Sequence, residues 1–106
     1  MNITIANLIE SHKEQLIKLC QEYQIKKIEL FGSGTGKNFD FDKSDLDFLV
    51  EFKSMPPREY AECFMGFKLA LEDLFMRPID LVEINSIRNP YFWQSIQSNR
   101  IFLYAS

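Results

Sequence analysis

Three aspartates and one glycine-serine pair are the residues in this chain whose types and spacing could do chemistry. Gly32 and Ser33 close an apolar run, Asp45 and Asp47 open the next one on either side of Leu46, and Asp80 sits inside a third. Side chains two apart on a strand share a face, so an extended Asp45-Leu46-Asp47 aims both carboxylates the same way. Two carboxylates converging to about 4 Å repel by roughly 4 kcal/mol at an effective dielectric near 20. That repulsion is relieved by a proton on one acid or by a cation between them. Mg²⁺ is the hard cation that binds through one or two carboxylates together with substrate phosphates. A glycine-serine bend after a strand can supply the phosphate side, because Gly32 permits close backbone approach and the Ser33 hydroxyl can donate. Any helix that follows it would offer unpaired N–H groups at its start. Alone, Asp-x-Asp reads equally as a solvated Lys43-Ser44-Asp45 turn. The glycine-serine pair upstream and the third acid downstream turn the reading toward a nucleotide site, with Gly32 and Ser33 on phosphate and Asp45 and Asp47 on metal.

Three other phosphate or metal loops are excluded by position. Gly32-Ser33-Gly34-Thr35-Gly36-Lys37 looks like a P-loop, but Phe31 stands where that motif needs its first glycine and Asn38 where it needs Ser or Thr. A dinucleotide fingerprint fails because its third glycine would be Lys37. Asp40, Asp42, Ser44 and Glu51 fall at calcium-loop spacing, yet the central glycine is Asp45 and a strand-like alternation follows.

The elements that must hold these residues follow from hydrophobic periodicity. Residues 4–24 read as one amphipathic helix on the stripe Ile5, Leu8, Ile9, His12, Leu16, Leu19, Cys20 and Tyr23. On that stripe His12 reads as a packing histidine. Ile25–Phe31 alternates as a strand that runs into Gly32-Ser33, and a short helix is expected after the bend. Leu46, Phe48, Val50 and Phe52 form the apolar row of a second strand. Pro56-Pro57 opens a helix over roughly 57–76 with Tyr60, Phe64, Phe67, Leu71, Leu74 and Phe75 inward, and Pro78 is expected to close it. Ile79–Glu83 is a short strand with Ile79 and Leu81 on one face and Asp80 on the other. Residues 86–98 read as a further helix in which Tyr91-Phe92-Trp93 cannot all be hidden on one stripe. Ile101–Tyr104 is the last strand. The order defines an α/β (α+β) fold, a mixed sheet of about four strands covered by helices, as one domain over residues 1–106.

Composition narrows the partners. Twelve Lys and Arg against fifteen Asp and Glu give a net charge of −3, with the basic residues scattered, which speaks against long nucleic acid. The two cysteines, Cys20 and Cys63, make no disulfide framework and read as buried thiols. The N-terminal residues lack a signal-peptide pattern and no apolar run is long enough to span a bilayer, so the expected compartment is the cytoplasm.

Together, Gly32-Ser33, Ser44-Asp45-Leu46-Asp47 and Asp80 resemble the minimal nucleotidyltransferase (MNT) family of the polymerase-beta-like nucleotidyltransferase superfamily. Its pattern is Gly-Ser after a strand, Asp-x-Asp opening the next, and a third Asp one helix later. Asn89-Pro90-Tyr91-Phe92 with Ile96 is similar to the family's tail, and the resemblance covers nearly the whole chain. Where the family often carries x-Ala-Arg-Gly after Gly-Ser, this chain has Gly34-Thr35-Gly36-Lys37, which leaves Lys37 and Lys43 as the nearby cations. The resemblance implies AMP transfer from ATP with two Mg²⁺ ions, typically about 3.5–4 Å apart. Asp45, Asp47 and Asp80 would be metal-binding and catalytic, and Gly32 and Ser33 would bind the nucleotide. It implies a HEPN-domain toxin as partner, with this chain as the antitoxin that adenylylates a toxin tyrosine, and leaves an oligomer open. Two alternatives remain at this point: a degenerate module that neutralises a toxin by occlusion, and a transferase acting on small hydroxylated molecules.

Overall fold

Alternation and capping account for the architecture element by element. The computed structural model describes residues 5–31, 46–84 and 101–106. In chain order the elements are α1 (Ile5–Ser11), α2 (Lys13–Glu22), β1 (Ile25–Phe31), β2 (Leu46–Phe52), α3 (Pro57–Phe75), β3 (Ile79–Glu83) and β4 (Ile101–Ala105). The expected helices after Ser33 and over 86–98 lie outside the described residues, as does the Tyr91–Trp93 cluster.

The helix expected over residues 4–24 is two helices. The break falls at His12, whose φ of −113° and ψ of 14° are not helical. The cause is local competition for carbonyls. The Ser11 hydroxyl donates to Leu8 O at 2.9 Å, His12 Nδ1 lies 2.9 Å from the same oxygen, and the His12 N–H turns to Ile9 O at 3.1 Å. The ring packs on Phe75 with centroids 5.4 Å apart, so His12 is the packing histidine its stripe position implies.

The strands form one mixed four-stranded sheet in the order β3-β2-β1-β4. β1 runs antiparallel to both β2 and β4, while β3 lies parallel to β2. The parallel pair requires a crossover, which α3 supplies. Pro57 starts α3 with φ already preset by its ring. The helix stops at Phe75 because Met76 adopts the left-handed conformation, φ 55°, and its N–H caps Glu72 O at 2.9 Å. Pro78 therefore follows the stop and does not make it. Its carbonyl instead accepts the Leu46 N–H at 3.2 Å, tying β3 to the start of β2.

One face of the sheet is the core. Ile28, Leu30, Leu46, Phe48, Val50, Ile79 and Leu81 are buried with Leu16 and Cys20 of α2 and Phe67, Leu71 and Phe75 of α3. Each fully buried side chain of this size contributes about 1.5–3 kcal/mol, so this face fixes the register of β1, β2 and β3. The register in turn decides what the other face presents. Among the described residues, no helix is long and apolar enough to cross a membrane.

Candidate active site

The second face of the sheet carries Lys27, Glu29, Asp47, Leu49, Glu51, Asp80 and Val82, set by strand pairing with the core residues between them. Asp47 on β2 is the direct register partner of Asp80 on β3. Register partners on neighbouring strands share a face, and the strands lie about 4.7–4.9 Å apart. Two acids from segments separated by all of α3 thus stand side by side. Asp47 is half-buried on an inner strand, and Asp80 is exposed on the strand at the sheet's end among the described residues.

Phe31, the last residue of β1, is the register partner of Asp47 on its other side. Chain connectivity therefore keeps Gly32 one residue from the strand position beside Asp47, and Asp45 one residue from Leu46, the partner of Ile79. Gly32, Ser33 and Asp45 themselves lie outside the described residues, as do Lys37 and Lys43. Of the five site residues expected from the sequence, the structure describes Asp47 and Asp80 and brings those two together.

The donor chemistry suits a hard cation. Asp47 and Asp80 offer carboxylate oxygens only, the ligand type of Mg²⁺, and no cysteine or histidine shares their face at those positions. Among the described residues, no group of three or more His, Cys, Asp and Glu side chains gathers into a complete ligand set. The two described acids fit a divalent ion as part of a set and not as the whole of one.

The two thiols play no part here. Cys20 is fully buried, and burial pushes its thiol up to about 12, so it stays protonated and inert. Cys63 is half-buried on α3. Burial first, then Glu59 and Glu62, raise its thiol too.

One further acid on this face was not singled out by its sequence position. Glu29 alternates with Ile28 and Leu30 and so reads as a solvent-facing residue, yet it is only 4% exposed. Lys27 Nζ lies 2.9 Å from its Oε1. The signal that could have found it is its placement two residues before Phe31, on the strand that leads into the glycine-serine pair.

A mixed sheet backed by helices, with two acids paired across the β2–β3 crossover, defines the class as an α+β nucleotidyltransferase fold. The chain belongs to the polymerase beta nucleotidyltransferase family, whose family model matches residues 14–106. Two proteins of Methanocaldococcus jannaschii, each described as a candidate protein adenylyltransferase, are similar to it. One is 35% identical over 99 residues, covering 93% of this chain and 94% of that protein. The other is 32% identical over 104 residues with the same coverage. A solved structure of a candidate minimal nucleotidyltransferase superposes with a TM-score of 0.72 at 24% identity, covering 94% of this chain and 96% of that one. The fold is also shared with a solved complex of a tri-AMPylated Shewanella oneidensis HEPN toxin and an MNT antitoxin. There the TM-score is 0.56 at 20% identity, over 92% of this chain and 72% of that one.

Proposed function

We propose that the chain is a Mg²⁺-dependent nucleotidyltransferase, a single domain over residues 1–106, that moves AMP from ATP to a hydroxyl of a partner protein. The observation that carries this reading is the register pairing of Asp47 with Asp80 on the sheet face away from α2 and α3, one strand from the residue that leads into Gly32-Ser33. The adenylyltransferase description of the M. jannaschii relatives supports AMP as the group transferred. The toxin–antitoxin complexes that share the fold support a HEPN toxin as acceptor and an antitoxin role for this chain.

Asp45, Asp47 and Asp80 would hold Mg²⁺, which supplies charge neutralisation for the phosphates and for the oxygens that gain charge. Gly32 and Ser33 would hold the terminal phosphates through backbone N–H groups and the hydroxyl. Asp80, exposed at the sheet's end, would be the acid that meets an incoming acceptor and takes its proton. The acceptor oxygen forms a bond to the α-phosphorus, the bond between that phosphorus and the bridging oxygen breaks, and pyrophosphate leaves.

The test is incubation with ATP labelled on the α-phosphate, Mg²⁺ and a HEPN-domain partner. Label should appear on a partner hydroxyl, and Asp47→Asn should reduce the rate by at least about 100-fold, the scale of losing a principal electrostatic group. Equal labelling by wild type and Asp47→Asn would overturn the assignment of the site. Full protection from the toxin by a folded Asp47→Asn variant, with no transfer by either protein, would favour neutralisation by occlusion.

A further inference from the structure

Glu29 is the one charged side chain buried among the described residues, at 4% exposure, and the transfer proposed above does not use it. Its register partners are Leu49 on β2 and Phe102 on β4, so it lies on the face of Asp47 and Asp80 and not on the helix side. Phe31 pairs with Asp47 and Glu29 precedes Phe31 by two residues, which makes Glu29 the diagonal neighbour of Asp47. Diagonal neighbours on a sheet have Cα atoms about 7–8 Å apart, with Cβ atoms somewhat closer.

The Lys27–Glu29 pair is asymmetric. The glutamate side chain is 6% exposed, while that of the lysine is 39% exposed. Water screens the cation more than the anion, so Lys27 offsets the Glu29 carboxylate only in part. Glu51, the next acid along β2, is farther from Asp47 and is offset by Lys26 at 3.7 Å. With its lysine end 39% exposed, the pair adds little net stability to the fold. We propose that Glu29 is a positioning residue that strengthens divalent-cation binding at Asp47 and Asp80 through its buried charge, with Lys27 setting how much of that charge the site feels. The inference rests on the reading of these two aspartates as metal ligands.

The experiment is a Mn²⁺ titration of the full chain without nucleotide, with free Mn²⁺ followed by electron paramagnetic resonance. Glu29→Gln, which keeps shape and removes charge, should weaken binding by roughly three- to tenfold, the range expected for one charge at this separation in a partly screened medium. Lys27→Met should tighten it by roughly two- to threefold, less because the lysine is better solvated. Glu29→Asp, which keeps the charge, should stay within about twofold of wild type. Loss of packing would move Glu29→Gln and Lys27→Met in the same direction. A shift of the same sign in both, or no shift in either, therefore overturns the inference. If Asp47→Asn leaves Mn²⁺ binding unchanged, the metal assignment itself falls. If Asp47→Asn abolishes binding while the Glu29 and Lys27 variants match wild type, only the role of the buried pair falls.

Discussion

Gly66 shows how closely single side chains are fitted around the core. It lies in the middle of α3, where alanine would normally favour the helix by about 1 kcal/mol. A Cβ at this position would meet Tyr23 Cε1 at 2.6 Å. The Tyr23 ring is held in turn against Phe67, centroids 5.9 Å apart. Overpacking of this kind costs about 1–3 kcal/mol, which outweighs the helix preference. Gly66→Ala is expected to destabilise by about 1 kcal/mol in denaturant unfolding, and to become stabilising in a Tyr23→Ala background. Additive effects of the two substitutions would show that the contact is not the cause.

Cys20 offers a second test at the same scale. Its thiol rises from 9.0 to about 12 through burial, so the folded chain holds the proton more tightly than the unfolded one. The stability this contributes is complete below pH 9 and is lost as pH climbs from there toward 12. In that window the slope should approach about 1.4 kcal/mol per pH unit beyond what Cys20→Ala shows. A native-state thiol assay at pH 8 should label Cys63 and spare Cys20 until denaturant is added.

At the scale of elements, the three strands Ile25–Phe31, Leu46–Phe52 and Ile79–Glu83 were readable from alternation, because the apolar core face dictates a period of two in residue type. The body of α3 was equally plain from its stripe. Its stop was not, because a non-glycine residue in the left-handed region carries no composition signal. Met76 takes that conformation while 85% exposed, so its side chain gains little from burial in return for the strain. Met76→Gly should therefore raise stability by about 0.5–1 kcal/mol, measured as a shift in denaturant midpoint without a change in slope. The break at His12 was hidden for a related reason: the apolar stripe runs through it, and only the capture of Leu8 O by side chains stops the helix. Glu29 was hidden because alternation reports which face a residue takes and says nothing of what covers that face.

For the whole molecule, the proposed site predicts a coupling between folding stability and bound ligand. Asp47 and Asp80 are like charges at opposed positions on adjoining strands, an arrangement that is destabilising in a sheet. The Asp47–Asp80 pairing follows once the core face fixes the register of β2 and β3, whereas Asp45 and the glycine-serine pair, expected from motif order, lie outside the described residues. On the proposed function, Mg²⁺ with a non-hydrolysable ATP analogue is expected to bind the folded chain alone and, at tenfold over Kd, to add about 1.4 kcal/mol by mass action. In a chain of 106 residues that corresponds to a thermal midpoint higher by roughly 5–10 °C. The shift should vanish on chelation, since nucleotide without the cation leaves the carboxylates repelling its phosphates. Asp80→Asn should reverse the pattern. Without ligand it is expected to be no less stable than wild type, because one of two opposed charges is gone, whereas its ligand-induced shift should be largely lost. A variant that is less stable without ligand yet keeps the full shift would mean that Asp80 serves the fold and not the bound cation.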